Sequence, residues 1–180
     1  MFIEYRGKRP KVHPSAFVAP TAVLIGDVEV GPESSIWFGT VIRADNGPIR
    51  IGARTSIQDN AVVHVSEHGQ TIVGDDVTVG HCAVMEDCTI KAHALIGSNA
   101  VILNGATIGE GTLVAAGSVV GENATIPDRV LAAGSPATVK KTLDGEAAKW
   151  IDISANEYVK LSRAYLAANI GDARYQETFN

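Results

Sequence analysis

Aliphatic side chains return along this chain at every sixth position. Val18, Leu24, Val30, Ile36 and Ile42 open the series, and Ile51, Ile57, Val63, Val73, Val79 and Met85 extend it. Ile90, Ile96, Ile102, Ile108, Val114, Val120 and Ile126 bring it to 18 hexads, broken by a three-residue insertion, a four-residue insertion and one deletion. Four residues after each anchor the chain is usually small, as at Ala22, Ser34, Thr55, Ala83, Thr89 and Ala100, and glycine often follows the anchor directly, as in Val73-Gly74 and Ile96-Gly97. A helix cannot keep every sixth residue on one face, because six residues advance it by roughly 600°. A plain strand would alternate with a period of two. A triangular coil satisfies the pattern: each hexad forms one side, the anchor points inward, the small residue fits the bend, and three hexads close a turn. The prediction is an all-β parallel β-helix of six turns, stacked about 4.8 Å apart.

After Ile126 the repeat stops, and Gly134-Ser135-Pro136-Ala137 reads as a turn. From about Leu143, Ala147, Ile151, Ala155, Tyr158, Leu161, Tyr165 and Ala168 recur at three- and four-residue steps, which predicts a C-terminal α-helix packed along the outside of the prism. The expected organisation is a β-helix over 1–135, followed by a helix and tail over 136–180.

Composition supports this. Hydrophobic residues make up 46% but aromatic residues only 6%, so Val, Ile, Ala and Leu must fill the core. A net charge of −5, with no basic run longer than Lys140-Lys141, argues against nucleic acid. No apolar stretch reaches 18 residues and the first residues carry no apolar signal core, so neither a membrane span nor a secretory leader is expected. The two cysteines, Cys82 and Cys88, are too few for a secreted disulfide framework, and a cytoplasmic setting is expected. They fall on consecutive hexads and hence on different faces, which disfavours pairing.

Counting hexads also places the polar residues. Arg43, His64 and Glu86 each follow an anchor of the same face in successive turns, so they form one column. Asp59 and His81 form a second column, on another face. The two cannot converge within one chain. They can across a three-fold axis that sets one face of each subunit against a different face of its neighbour. Two imidazoles and a carboxylate at such a seam make a metal site, whereas His13, His68 and His93 are expected to be ordinary surface residues. Arg43 and Asp59 can equally be an interface ion pair.

The chain resembles the γ-class carbonic anhydrase family, in its branch of small bacterial hexapeptide-repeat homologues, over nearly its whole length. The likeness rests on Ser15-Ala16-Phe17-Val18-Ala19-Pro20-Thr21, Arg43-Ala44-Asp45, Ile57-Gln58-Asp59-Asn60, Val63-His64, Val79-Gly80-His81 and Ser154-Ala155-Asn156-Glu157-Tyr158-Val159. The resemblance implies left-handed coils, a homotrimer and zinc at each subunit interface, held by His64, His81 and a third ligand. It further implies a zinc-bound hydroxide that attacks CO2, oriented by Gln58. Arg43, Asp45 and Asp59 would tie the subunits together, and Asn156 and Tyr158 would line the pocket. Where the family has a third histidine followed by glycine, this chain has Glu86 and Asp87, and the family's long acidic loop is cut to Ser66-Glu67-His68-Gly69. Two histidines and one carboxylate suit zinc or Fe(II), but the extra negative charge makes a bound water less acidic. The competing expectations are a CoA-dependent acyltransferase with a histidine as general base, and a catalytically silent metal- or partner-binding trimer.

Overall fold

The structure, a computed structural model, describes residues 1–171, without the side chains of Ala147 and Asp152. Ala147 of the expected helix stripe and residues 172–180 of the expected second segment thus lie outside the described residues. All 18 anchors point into one core and none is more than 5% exposed. Fully burying such side chains contributes roughly 1.5–3 kcal/mol each, which is why the period of six dominates the fold.

The coils build three walls of parallel strands. One wall stacks Phe17–Val18, Ser35–Ile36, Ser56–Ile57, Thr78–Val79, Leu95–Ile96, Leu113–Val114 and Val130–Gly134 in that order. A second wall runs from Phe2–Ile3 through the starts of Val23–Val30 and Val41–Ile51 to Val62–His64, Val84–Glu86, Val101–Ile102 and Val119–Val120. The two long strands then turn a corner and enter the third wall, with Lys11–Val12 below and Thr71–Val73, Thr89–Ile90, Thr107–Ile108 and Thr125–Ile126 above. Each wall counts seven strands, so the prism has seven turns, where the rhythm of the sequence predicts six. The additional inward residues are Phe2 and Val12 at the base and Ala132 at the top. Residues 4–10, with a Tyr5–Lys8 bridge, break the spacing of the first turn.

The bends show a second difference. Thr89, expected to fill a bend, is only half-buried, and Cys88 takes the inward place. The small inward residue keeps its distance from the following anchor, so the one-residue deletion between Met85 and Ile90 moves it back by one. Glycine after an anchor answers a packing need: a β-carbon on Gly97 would stand 2.4 Å from the backbone nitrogen of Ala116 in the next coil.

The top strand continues as a hairpin, Val130–Gly134 pairing antiparallel with Ala137–Thr142. The 135/136 boundary expected from the sequence falls in the turn of that hairpin. The α-helix Gly145–Ala167 then descends along the first wall, touching Thr78–Val79, Ser56–Ile57, Ser35–Ile36 and Phe17–Val18. Its inner face is Ile151, Ser154, Ala155, Tyr158, Val159, Ser162 and Tyr165, whereas Leu161 and Ala168 of the expected stripe are exposed. Two serines, Ser154 and Ser162, are buried on this inner face, and the Ser154 hydroxyl meets that of Thr78 at 3.1 Å. Near the helix's lower end Phe17, Trp37, Tyr158 and Tyr165 interlock, with ring centroids 5.0–5.8 Å apart. The Trp37 indole N–H donates to Ser35 and Ser56 at 3.0 and 2.9 Å.

Candidate metal centre

The second wall ends its strands on a polar column. Register pairs Arg43 with His64 and His64 with Glu86, as the count of hexads predicts. Alternation along Val41–Ile51 puts Asp45 on the same outward side as Arg43. His64, only 18% exposed at its side chain, lies between two carboxylates: Nδ1 is 3.0 Å from Glu86 Oε1 and Nε2 is 3.3 Å from Asp45 Oδ1. Within the chain Arg43 pairs with Asp45 at 2.5 Å. Partial burial acts to raise the Asp45 carboxyl, but the hydrogen bond and charge of Arg43 outweigh it and hold the group below the usual carboxylate range.

The donor chemistry here fits a cation. A neutral imidazole has one N–H, so it can donate to only one of the two carboxylates. The lone pair of its other nitrogen then faces an anionic oxygen, an arrangement stabilised by a proton or a metal ion between them.

The second column is likewise in place. His81 Nδ1 stands 2.9 Å from Asp59 Oδ2, and the Phe38 N–H donates to Asp59 Oδ1 at 3.3 Å. Gln58, 5% exposed, shares a hydrogen bond with Tyr158. Burial and the Asp59 charge push the Tyr158 phenol above its ordinary value, although that bond to Gln58 acts in the opposite sense. Asn156 is exposed and two positions from Tyr158, a spacing that does not face the same way on a helix.

Within one chain the two columns stay apart. Among the described residues no group of three or more His, Cys, Asp or Glu side chains is placed to hold a metal ion. Of the other histidines, His13 pairs with Ser15, His93 lies 4.0 Å from Asp76, and His68 is 90% exposed. Cys82 is exposed and Cys88 buried, both as free thiols; burial and the neighbouring Asp87 push the Cys88 thiol up to about 12. Two contacts escape a sequence reading: Asp45 against His64, and Asp87 against Ser66. The first had a signal, since Arg43 and Asp45 are two apart on a strand. The second crosses the irregular loop, where counting fails.

Comparison with known proteins gives one consistent picture. The family model described as the GMPPB C-terminal domain matches residues 45–151, a stretch made mostly of coils. A carbonic anhydrase from Geobacillus kaustophilus is 41% identical over 93% of this chain and 92% of its own length. Gamma carbonic anhydrase 1, mitochondrial, from Arabidopsis thaliana is 41% identical over 90% of this chain, which spans 61% of that longer relative. A hexapeptide transferase family protein from Anaplasma phagocytophilum superposes with a TM-score of 0.89 at 38% identity, covering 92% of this chain and 98% of the other. The coils fall in the domain family of the GMPPB C-terminus, and the whole chain, a left-handed β-helix of hexapeptide repeats with a C-terminal helix, belongs to the γ-class carbonic anhydrase family.

Proposed function

We propose that this chain assembles as a homotrimer and hydrates CO2, or dehydrates bicarbonate, at a divalent-metal site shared between neighbouring subunits. His64 and Glu86 of one subunit and His81 of the next would hold the ion, a donor set suited to zinc and open to Fe(II). The observation that carries this is the pair of in-register columns, His64 against Glu86 at 3.0 Å and His81 against Asp59 at 2.9 Å, set on two walls of one prism. A second observation supports the assembly. Val23, Val41, Val62, Val84, Val101 and Val119 stand in register on the outside of the second wall, none of them fully buried, beside the His64 column. Among the described residues the helix packs on another wall, and this apolar row is suited to a partner surface.

When bound, the ion supplies the Lewis acidity that brings the pKa of a water molecule toward neutrality. The residues of this chain prepare the rest. Asp59 holds the Nδ1 side of His81, so that Nε2 would be the atom free to bind the ion. Asp45, kept ionised by Arg43, holds His64 Nε2 and leaves Nδ1 beside Glu86. Tyr158 shares a hydrogen bond with the Gln58 side chain and so holds that amide in place, where it can orient a water or the substrate oxygen.

Mixing the two halves of the site tests this. His64→Ala and His81→Ala proteins should each lose zinc and CO2 hydration while remaining trimers of about three times 18.9 kDa. Unfolded together and refolded one-to-one, they should regain about a quarter of the native sites, because a mixed trimer has one interface with both histidines. No recovery in verified mixed trimers overturns the shared site. The similar structures described as a hexapeptide transferase family protein and a putative acetyltransferase favour acyl transfer as the second reading. Acetyl-CoA turnover by metal-free protein would establish it.

A further inference from the structure

Asp87 stands where the family pattern has glycine, and the structure gives its carboxylate three partners. The Ser66 N–H donates to Asp87 Oδ1 and Oδ2 at 3.0 and 3.2 Å, the Ser66 hydroxyl donates to Oδ2, and the Asn104 amide donates to Oδ2 at 3.0 Å. The backbone at Asp87 is left-handed, φ 45°, so the side chain emerges at the corner, facing the loop and not along a wall.

The place of this clamp in the fold matters more than its size. Val62–His64 and Val84–Glu86 are paired strands that both end on their candidate ligand. Main-chain pairing stops there, and the chain beyond His64 leaves in the irregular 65–70 loop. Ser66 is two residues past His64 and Asp87 one past Glu86, so the carboxylate joins the two strand exits just beyond the two ligands. Asn104, one coil higher, ties the same carboxylate to a third turn. Gly69 of the loop packs against it so closely that a β-carbon there would stand 1.8 Å from Asp87 Oδ1.

We infer that Asp87 is a positioning residue for the metal centre: by gripping Ser66 and Asn104 it fixes the separation of Glu86 and His64, whose side chains meet at 3.0 Å. A glycine at this position has no side chain to hold a loop, and a histidine at 86 places its donor atom with fewer rotatable bonds than a glutamate. Glu86 has more freedom to lose, and Asp87 restrains its backbone, so the two departures from the family pattern form one linked change.

This inference rests on the metal-site reading, and Zn2+ and Co2+ binding to the full-length protein test it. Affinity is read by chelator competition, and ligand geometry by the visible absorption of the Co2+ form. Asp87→Gly should weaken Zn2+ about tenfold and change the Co2+ spectrum, the scale expected for loss of an outer-sphere partner. Gly69→Ala, which presses on the carboxylate from the loop side, should do the same. Asp87→Asn keeps an acceptor for the Ser66 N–H and should restore most of the affinity. If Asp87→Gly and Gly69→Ala lower the melting temperature yet keep natural affinity and spectrum, Asp87 is only a structural clamp and the inference falls alone. If the natural protein binds neither ion, the metal-site reading falls and takes this inference with it.

Discussion

Two walls of the same prism carry the candidate ligand columns, yet they are finished differently. The wall of Phe17, Ser35, Ser56 and Thr78 is closed by the chain's own helix, with Trp37 and Tyr165 interlocked at 5.3 Å and Ser154 meeting Thr78. Among the described residues no helix covers the wall of Val41, Val62 and Val84, although its outward residues are the more apolar. The sequence accounts for the contrast. Serine and threonine on the closed wall let a helix approach and offer hydroxyls for its polar residues, while a row of β-branched residues presents a flat apolar face better matched to another sheet-like surface. One wall solves its burial problem within the chain, and in the proposed trimer the other would solve it against a neighbour.

Breaking the uncovered wall should give the largest effect. Val62→Asp with Val84→Asp places two charges in the apolar row, and light scattering should then report monomers that keep the β-rich circular dichroism of the natural protein. A variant that stays trimeric would show that this wall is not the interface. Breaking the closed wall should cost less, and cost stability instead of assembly. Trp37→Ala removes the indole at the centre of the aromatic cluster and leaves Ser35 and Ser56 without their donor; a loss of about 3–5 kcal/mol is expected in denaturant unfolding. A smaller change should sharpen the role of the open column. Glu86→His exchanges an anionic donor for a neutral one, so CO2 hydration at neutral pH should rise severalfold in zinc-loaded protein. Stopped-flow assay with no gain at full zinc content would clear the carboxylate of limiting turnover. The smallest effect concerns the thiols. Because Cys88 is raised to about 12, it stays protonated in mildly alkaline buffer, and iodoacetamide should label Cys82 alone in the folded protein, as peptide mass mapping would show.

How far the sequence could be read follows from where its period holds. Anchors such as Ile57 and Ile96 are legible because an inward residue every six positions has no other explanation, and register then follows by counting; this is how His64 falls over Arg43 and under Glu86. Counting fails where spacing is irregular. Phe2 and Val12 are separated by a small hairpin, so the base turn escaped, and the deletion after Met85 exchanged Thr89 for Cys88. On the helix, Leu161 looked like part of the buried stripe from hydrophobicity alone, but Val159 and Ser162 occupy it, because the direction of the wall and not hydrophobicity sets which face is inward. Side-chain partners were the least legible. Nothing in the spacing says that Asp87 holds Ser66, since that contact depends on the path of a loop.

The helix has one more consequence, which concerns cooperativity. In a stack of coils each turn touches only the turns beside it, so the ends of such a solenoid can fray without disturbing the middle. Here the chain leaves the top coil through the 130–142 hairpin and returns along the prism until Tyr165 packs on Phe17 and Arg163 pairs with Glu33 near the base. The helix that follows the coils thus straps the topmost turn to the lowest. A linear series of nearest-neighbour contacts becomes a closed loop of interactions, in which neither end can loosen without pulling on the other.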